Sequence, residues 1–297
     1  MDKTQEIMQK VRRIELTARR LTTATLSGQY RASFRGQGLE FDDFREYQPG
    51  DDPRFIDWKV TARTGAPYVR RFHEEREQVL LLVVDTSASM RYASTAAENS
   101  KLEYAALIAA VLAYSAARNG DNVGLLLYGC HPHFYLPPAK GMKQCLRIIR
   151  EIISNENSGE DVSMEEVAAE ILRTQHKRTM CFLISDFMMA ADKESIGKLN
   201  FRHELIPLRV ADPMELELPQ DAGTVCIQDP ESGTPYHINI SAPATRKAYT
   251  RALTAHRRDW ESVFTQLGID MRDLRTDADF VPALRALFTR RSSHFAR

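Results

Sequence analysis

Residues 79–84 are six aliphatic side chains in a row, too few for a membrane span and too rich in branched residues for a surface helix. They predict a strand buried on both faces. Apolar stretches at 123–128, 179–185, 204–210 and 269–274 predict further strands, and a short one at 133–136 is expected to stop at Pro137 and Pro138. Between them the period changes from two to 3.6. Leu102, Ala105, Ala106, Ala109, Leu112, Ala113 and Ala116 mark a helix over 101–119, suited to close packing on a sheet. Helices are likewise predicted at 142–154, 164–174, 193–199, 245–267 and 279–291. This alternation predicts an α/β fold with a mainly parallel central sheet and helices on both faces.

Two regions depart from the alternation. Residues 3–26 place Ile7, Val11, Ile14, Ala18, Leu21 and Thr25 at steps of four and three, an amphipathic helix that lies on the domain or pairs with a partner helix, and Gly28 ends it. Residues 30–76 have no sustained period, yet they carry Phe34, Phe41, Phe44, Tyr47, Phe55, Trp58 and Tyr68, too many large apolar groups for a disordered linker. That segment is expected to wrap the sheet with short strands, one at 67–72. Further on, 224–228 and 236–240 alternate between Gly- and Pro-containing turns and predict a β-hairpin within 214–240. The expected organisation is an N-terminal part, residues 1–76, packing on a core domain of residues 77–297 that carries the hairpin.

Composition narrows the function classes. Of 297 residues, 43% are hydrophobic and 27% charged, as in a soluble globular chain with a substantial core. Forty basic and forty acidic residues cancel, so no global attraction to nucleic acid or anionic lipid remains. The balance also holds locally. Residues 31–76 contain nine charges of each sign, pointing to pairs of Asp51, Asp52 or Asp57 with Arg45, Arg54 or Arg63 rather than to a phosphate-binding stripe. The first twenty residues are charged throughout, unlike a signal peptide or a membrane span, so a cytoplasmic location is expected. Cys130, Cys145, Cys181 and Cys226 are widely spaced and are expected to be reduced thiols.

Candidate chemistry gathers where strands end. Asp85 follows the 79–84 run, with hydroxyls at Thr86, Ser87 and Ser89. Alternate residues leaving a strand can point the same way, so Asp85, Ser87 and Ser89 can bring three oxygens together at the carboxyl edge of the sheet. Oxygen ligands of low charge suit a hard divalent cation: magnesium first, with manganese or calcium as alternatives. The plainer reading is that these residues cap the following helix. The strand at 179–185 also finishes on a carboxylate, Asp186, and two parallel strands ending on Asp would place both on the edge where open α/β sheets bind ligands. His131 and His133 share a face if extended, but without a third soft ligand nearby they read as edge histidines.

Asp85-x-Ser87-x-Ser89 after a buried strand, with a later Ile184-Ser185-Asp186, resembles the von Willebrand factor A fold and its metal-ion-dependent adhesion site. An upstream block is more specific. Gly38-Leu39-Glu40-Phe41, then Arg45-Glu46-Tyr47-Gln48-Pro49-Gly50-Asp51-Asp52-Pro53-Arg54-Phe55-Ile56-Asp57-Trp58 and Thr61-Ala62-Arg63 resemble the signature of the domain of unknown function 58 family. The resemblance implies magnesium held by Asp85, Ser87 and Ser89, with Asp186 acting through a water and one coordination position open. It also implies a threonine in the 155–162 loop. None is present, and Asp161 and Ser163 are the nearest candidates. Ser163 also opens Ser-Met-Glu-Glu, a capping box with Glu166.

A cation whose ligands carry little negative charge stays electrophilic, so an Asp or Glu from a protein partner can fill its open position. The leading expectation is therefore a non-enzymatic, cation-dependent protein-binding module. Family members are linked with MoxR-type AAA+ ATPases, which implies an adaptor or assembly role beside such an ATPase. The alternatives are a magnesium-dependent phosphohydrolase with Asp85 as nucleophile, which would want an acid where Ser87 stands, and a structural domain with an empty ion site.

Overall fold

A computed structural model describes residues 3–23, 30, 39–74, 78–94, 97–129, 133–155, 162–218, 223–228 and 233–294. The chain divides into two units, residues 34–78 and residues 1–33 with 79–297. Helix α1 (Lys3–Leu21) belongs to the larger unit and so groups with the sheet, not with the segment that follows it. Ile14 and Ala18 are its buried positions, as its period requires, and Gly28 lies outside the described residues.

The smaller unit is built on an antiparallel pair, β1 (Leu39–Glu46) and β2 (Tyr68–Glu74). Between them stand a 3-10 turn (Pro53–Phe55) and α2 (Trp58–Thr64). Arg45 clasps Asp51 through two bonds of 2.8 and 2.6 Å, and Arg54 holds Asp52 at 2.7 Å. Asp57 instead caps α2, accepting from the Lys59 and Val60 amides, because an Asp at this place satisfies two orphan helix donors.

The larger unit continues with β3 (Val79–Asp85), α3 (Lys101–Asn119), β4 (Asn122–Tyr128), β5 (Phe134–Ala139), α4 (Met142–Ser154), α5 (Met164–Thr174), β6 (Met180–Ser185), α6 (Lys193–Arg202) and β7 (Glu204–Ala211). After these come α7 (Pro213–Leu216), the β8 (Thr224–Gln228) and β9 (Pro235–Asn239) hairpin, α8 (Pro243–Gln266), β10 (Arg272–Arg275) and α9 (Val281–His294). Six strands form one sheet in the order β10-β7-β6-β3-β4-β5, parallel except for β5. The mainly parallel sheet with helices on both faces, expected from the sequence, is thus the one observed.

β3 is central and buried on both faces. Leu81 and Val83, with Cys181 and Leu183 of β6, pack against Val167 and Ile171 of α5, Ile196 and Leu199 of α6, and Trp260 and Phe264 of α8. Leu80, Leu82 and Val84 take the opposite face, on which α3 packs, with α4 beside it against β4 and α1 packed on both helices. Three details differ from the sequence expectation. β5 runs through Pro137 and Pro138, which an edge strand tolerates, and Gly124 opposite leaves room: a Cβ there would sit 3.0 Å from Pro138 Cγ. β10 starts at Arg272, since Ile269 is engaged in closing α8, its amide reaching the Phe264 carbonyl at 2.8 Å. Asp212-Pro213 does more than break the chain: Asp212 caps α7 in a capping box with Glu215. Cys145, Cys181 and Cys226 are free thiols, and Cys130 lies outside the described residues.

Candidate metal centre at the sheet switch point

From β3 the chain builds outward to β4 and β5, then returns to β6 on the other side of β3 and builds the opposite way. The carboxyl ends of β3 and β6 therefore border the crevice where an open α/β sheet reverses its order. Asp85 ends β3 and Asp186 follows the last residue of β6, and both are buried, at 2% and 3% exposure. Ser185 ties the strands together, donating its hydroxyl to Asp85 Oδ2 at 2.6 Å and accepting the Phe187 amide at 2.8 Å.

The turn after β3 is held by backbone geometry. Thr86 donates both its amide and its hydroxyl to the Tyr128 carbonyl, at 2.8 and 2.7 Å, so this hydroxyl is committed to the fold. The Ser87 amide donates to Asp85 Oδ1 at 2.9 Å. Ser87 Oγ lies 3.1 Å from Ser89 Oγ, and Ser89 donates to Asp186 Oδ2 at 2.8 Å. Asp85, Ser87, Ser89 and Asp186 are thus brought together. Gly129, at φ +100°, lets β4 leave against this turn, since a Cβ there would lie 2.4 Å from the Ser87 nitrogen.

The turn after β6 is strained. Phe187 is the one non-glycine residue with positive φ (56°) among the described residues. Its carbonyl meets His256 Nε2 at 2.6 Å and its ring packs on Trp260 and Phe264 of α8. Asp186 Oδ1 accepts the Met188 amide at 3.1 Å, which leaves Oδ2 facing Ser89.

Ser163 is placed otherwise. Its hydroxyl donates to Glu166 Oε1 at 2.9 Å and accepts the Glu166 amide at 3.3 Å, capping α5. Asp161 lies outside the described residues, as does His131. Sequence reasoning passed over Lys101, whose ammonium, fully buried, bonds Asp186 Oδ2 at 2.7 Å and also Glu215 Oε1. The available signal was a lysine at the first position of a helix, where the dipole disfavours a cation.

Burial and the neighbouring Asp186 charge push the Asp85 carboxyl up to about 6. Burial pushes the Lys101 ammonium down, but Asp186 and Glu215 outweigh it and hold Lys101 above its ordinary value. The donor set suits a hard divalent ion. Octahedral magnesium at about 2.0–2.1 Å places neighbouring ligand oxygens about 3 Å apart, close to the Ser87–Ser89 and Ser89–Asp186 separations of 3.1 and 2.8 Å. Among the described residues no group of three or more His, Cys, Asp or Glu could hold a metal, so a site here would draw on neutral oxygens such as the serine hydroxyls beside the two carboxylates.

The family profile described as "Protein of unknown function DUF58" matches residues 43–259. The chain belongs to this family. An uncharacterized protein of Mycobacterium tuberculosis, Rv1480, is 34% identical to this DUF58 chain over 274 residues, covering 91% of the chain and 85% of the relative. The uncharacterized protein YeaD of Bacillus subtilis is 30% identical over 108 residues, 36% of this chain and 24% of YeaD. Among solved structures, the conserved hypothetical protein BatB from Bacteroides thetaiotaomicron aligns with a TM-score of 0.43 and 15% identity, over 73% of this chain and 99% of BatB. The VWA domain of SpRpn10 aligns with a TM-score of 0.39 and 8% identity, over 70% and 93%. The strand order, rather than these scores, defines the fold.

Proposed function

We propose that this DUF58 protein is a non-enzymatic module that binds another protein through a divalent cation at the sheet edge. The observation that carries this reading is the oxygen cluster of Ser87, Ser89 and Asp186, beside buried Asp85, at the point where the strand order reverses. Asp85, Ser87, Ser89 and Asp186 would hold magnesium, or manganese or calcium in its place, and the ion would supply an electrophilic centre. With only two carboxylates in the set, an Asp or Glu of the partner is the favoured completing ligand. Asp85 and Asp186 repel each other within the protein, and a bound cation would relieve that repulsion. Ser163 is left out of the set because its hydroxyl caps α5. The family resemblance adds a MoxR-type AAA+ ATPase as partner class, with the DUF58 protein as adaptor or assembly factor.

Calorimetric titration of chelator-stripped protein with Mg2+, and affinity capture with and without chelator, test this directly. The wild type is expected to take up one ion and to lose its partner on chelation, whereas Asp85→Ala binds neither while keeping its fold. Absence of ion uptake by the wild type, or capture by Asp85→Ala equal to the wild type, would end the proposal.

A further inference from the structure

Lys101 is the group at the sheet edge that the cation reading leaves unused. It is 0% exposed and stands first in α3, against the positive end of the helix dipole. Burying an ammonium there is unfavourable unless its charge is matched closely, and two carboxylates do so, Asp186 from the turn after β6 and Glu215 from α7. The oxygen it bonds, Asp186 Oδ2, is the same atom that receives the Ser89 hydroxyl. A divalent ion drawing on that oxygen would stand close to the ammonium, and like charges at that range inside a protein repel strongly. Glu215 offers an alternative seat. It is 25% exposed, and its other oxygen accepts the Asp212 amide at 3.1 Å.

We infer that Lys101 is a built-in competitor for the cation: its ammonium neutralises Asp186 when no divalent ion is held, and ion binding moves that ammonium wholly onto Glu215. The inference rests on the cation reading above and adds to it a threshold and a route. Occupancy of the site is felt at Glu215, and through the capping box at α7, an element outside the ligand set. Emptying the site returns the ammonium to Asp186, so the two carboxylates at the switch point never face each other without a positive charge nearby.

Titration of chelator-stripped full-length protein with Mn2+, followed by electron paramagnetic resonance and by melting temperature, tests it in the wild type, Lys101→Met and Glu215→Gln. Removing the ammonium should tighten Mn2+ binding by about tenfold or more, whereas removing its alternative seat should weaken binding by a similar factor. Opposite directions from two substitutions that both break the same ion pair distinguish competition from general destabilisation. If Lys101→Met folds poorly, added Mn2+ should restore its cooperative melt, and failure to do so counts against competition. Uptake by Lys101→Met alone, with none by the wild type, ends the cation reading and the inference that rests on it. Wild-type binding that is unchanged or weaker in Lys101→Met, or tighter in Glu215→Gln, overturns the inference and leaves the cation reading standing. No uptake by any of the three removes the cation reading and the inference with it.

Discussion

Asp85 and His203 respond to acid in opposite senses. Asp85 titrates near 6 in the folded protein against an ordinary 3.8, so between those values the native state keeps a proton that the unfolded chain has released. Stability therefore falls as pH rises through that window, and ionised Asp85 is a cost at neutral pH. In chelator, Asp85→Asn should stabilise the protein by about 1–3 kcal/mol at neutral pH, and a urea midpoint at or below the wild type would contradict the origin given for the shift. His203 is 1% exposed, both its ring nitrogens lack a hydrogen-bond partner among the described residues, and burial followed by the Arg202 and Arg178 charges lowers its pKa. Below its ordinary value of 6.5 the unfolded chain gains a proton that the native state refuses, so this contribution is lost as pH falls. His203→Leu should shrink the stability loss between about pH 7.5 and about pH 5.5; an unchanged loss would mean the ring is protonated in place. Asp85 itself was legible, because an acid closing a buried apolar run is visible in seven consecutive letters.

At the scale of elements, the two turns that present the site are shaped by neighbours far away in sequence. Gly129 leaves β4 directly against Ser87, and a methyl group there meets the Ser87 nitrogen at 2.4 Å in a backbone conformation that disfavours side chains. Gly129→Ala should cost about 2–4 kcal/mol and weaken ion uptake in the same preparation; a variant with wild-type stability and uptake would show that the turn is not built on this contact. Phe187 keeps its strained φ because Trp260, Phe264 and His256 of α8 hold it from the other side. Trp260→Ala should cost about 3–5 kcal/mol, measured by chemical denaturation, and a loss below 1 kcal/mol would make that clamp incidental. Helix and strand positions were readable from period alone, as 101–119, 142–154 and 164–174 show. The ends were less so: β5 continues through two prolines only because it is an edge, a fact of neighbours rather than of local sequence.

Across the whole molecule, stability is unevenly distributed. β3 and β6 lie at the centre of the sheet under helices, whereas β8 and β9, among the described residues, pair only with each other and are largely exposed. Amide hydrogens of residues 81–84 and 181–184 should exchange only through global unfolding, and those of 225–227 orders of magnitude sooner; equal protection would mean that something covers the hairpin. No helix among the described residues is long and apolar enough to cross a membrane. The sequence alone determined the alternating architecture, the burial of β3 and the two strands that finish on aspartate, because hydrophobic period and turn chemistry act within short windows of chain. Only the tertiary structure decided that Lys101 stands between Asp186 and Glu215, partners 85 and 114 residues away, or that Gly129 must yield to Ser87. Charge and close packing act through space, and which distant groups meet is settled only when the sheet has brought the ends of its strands to one edge.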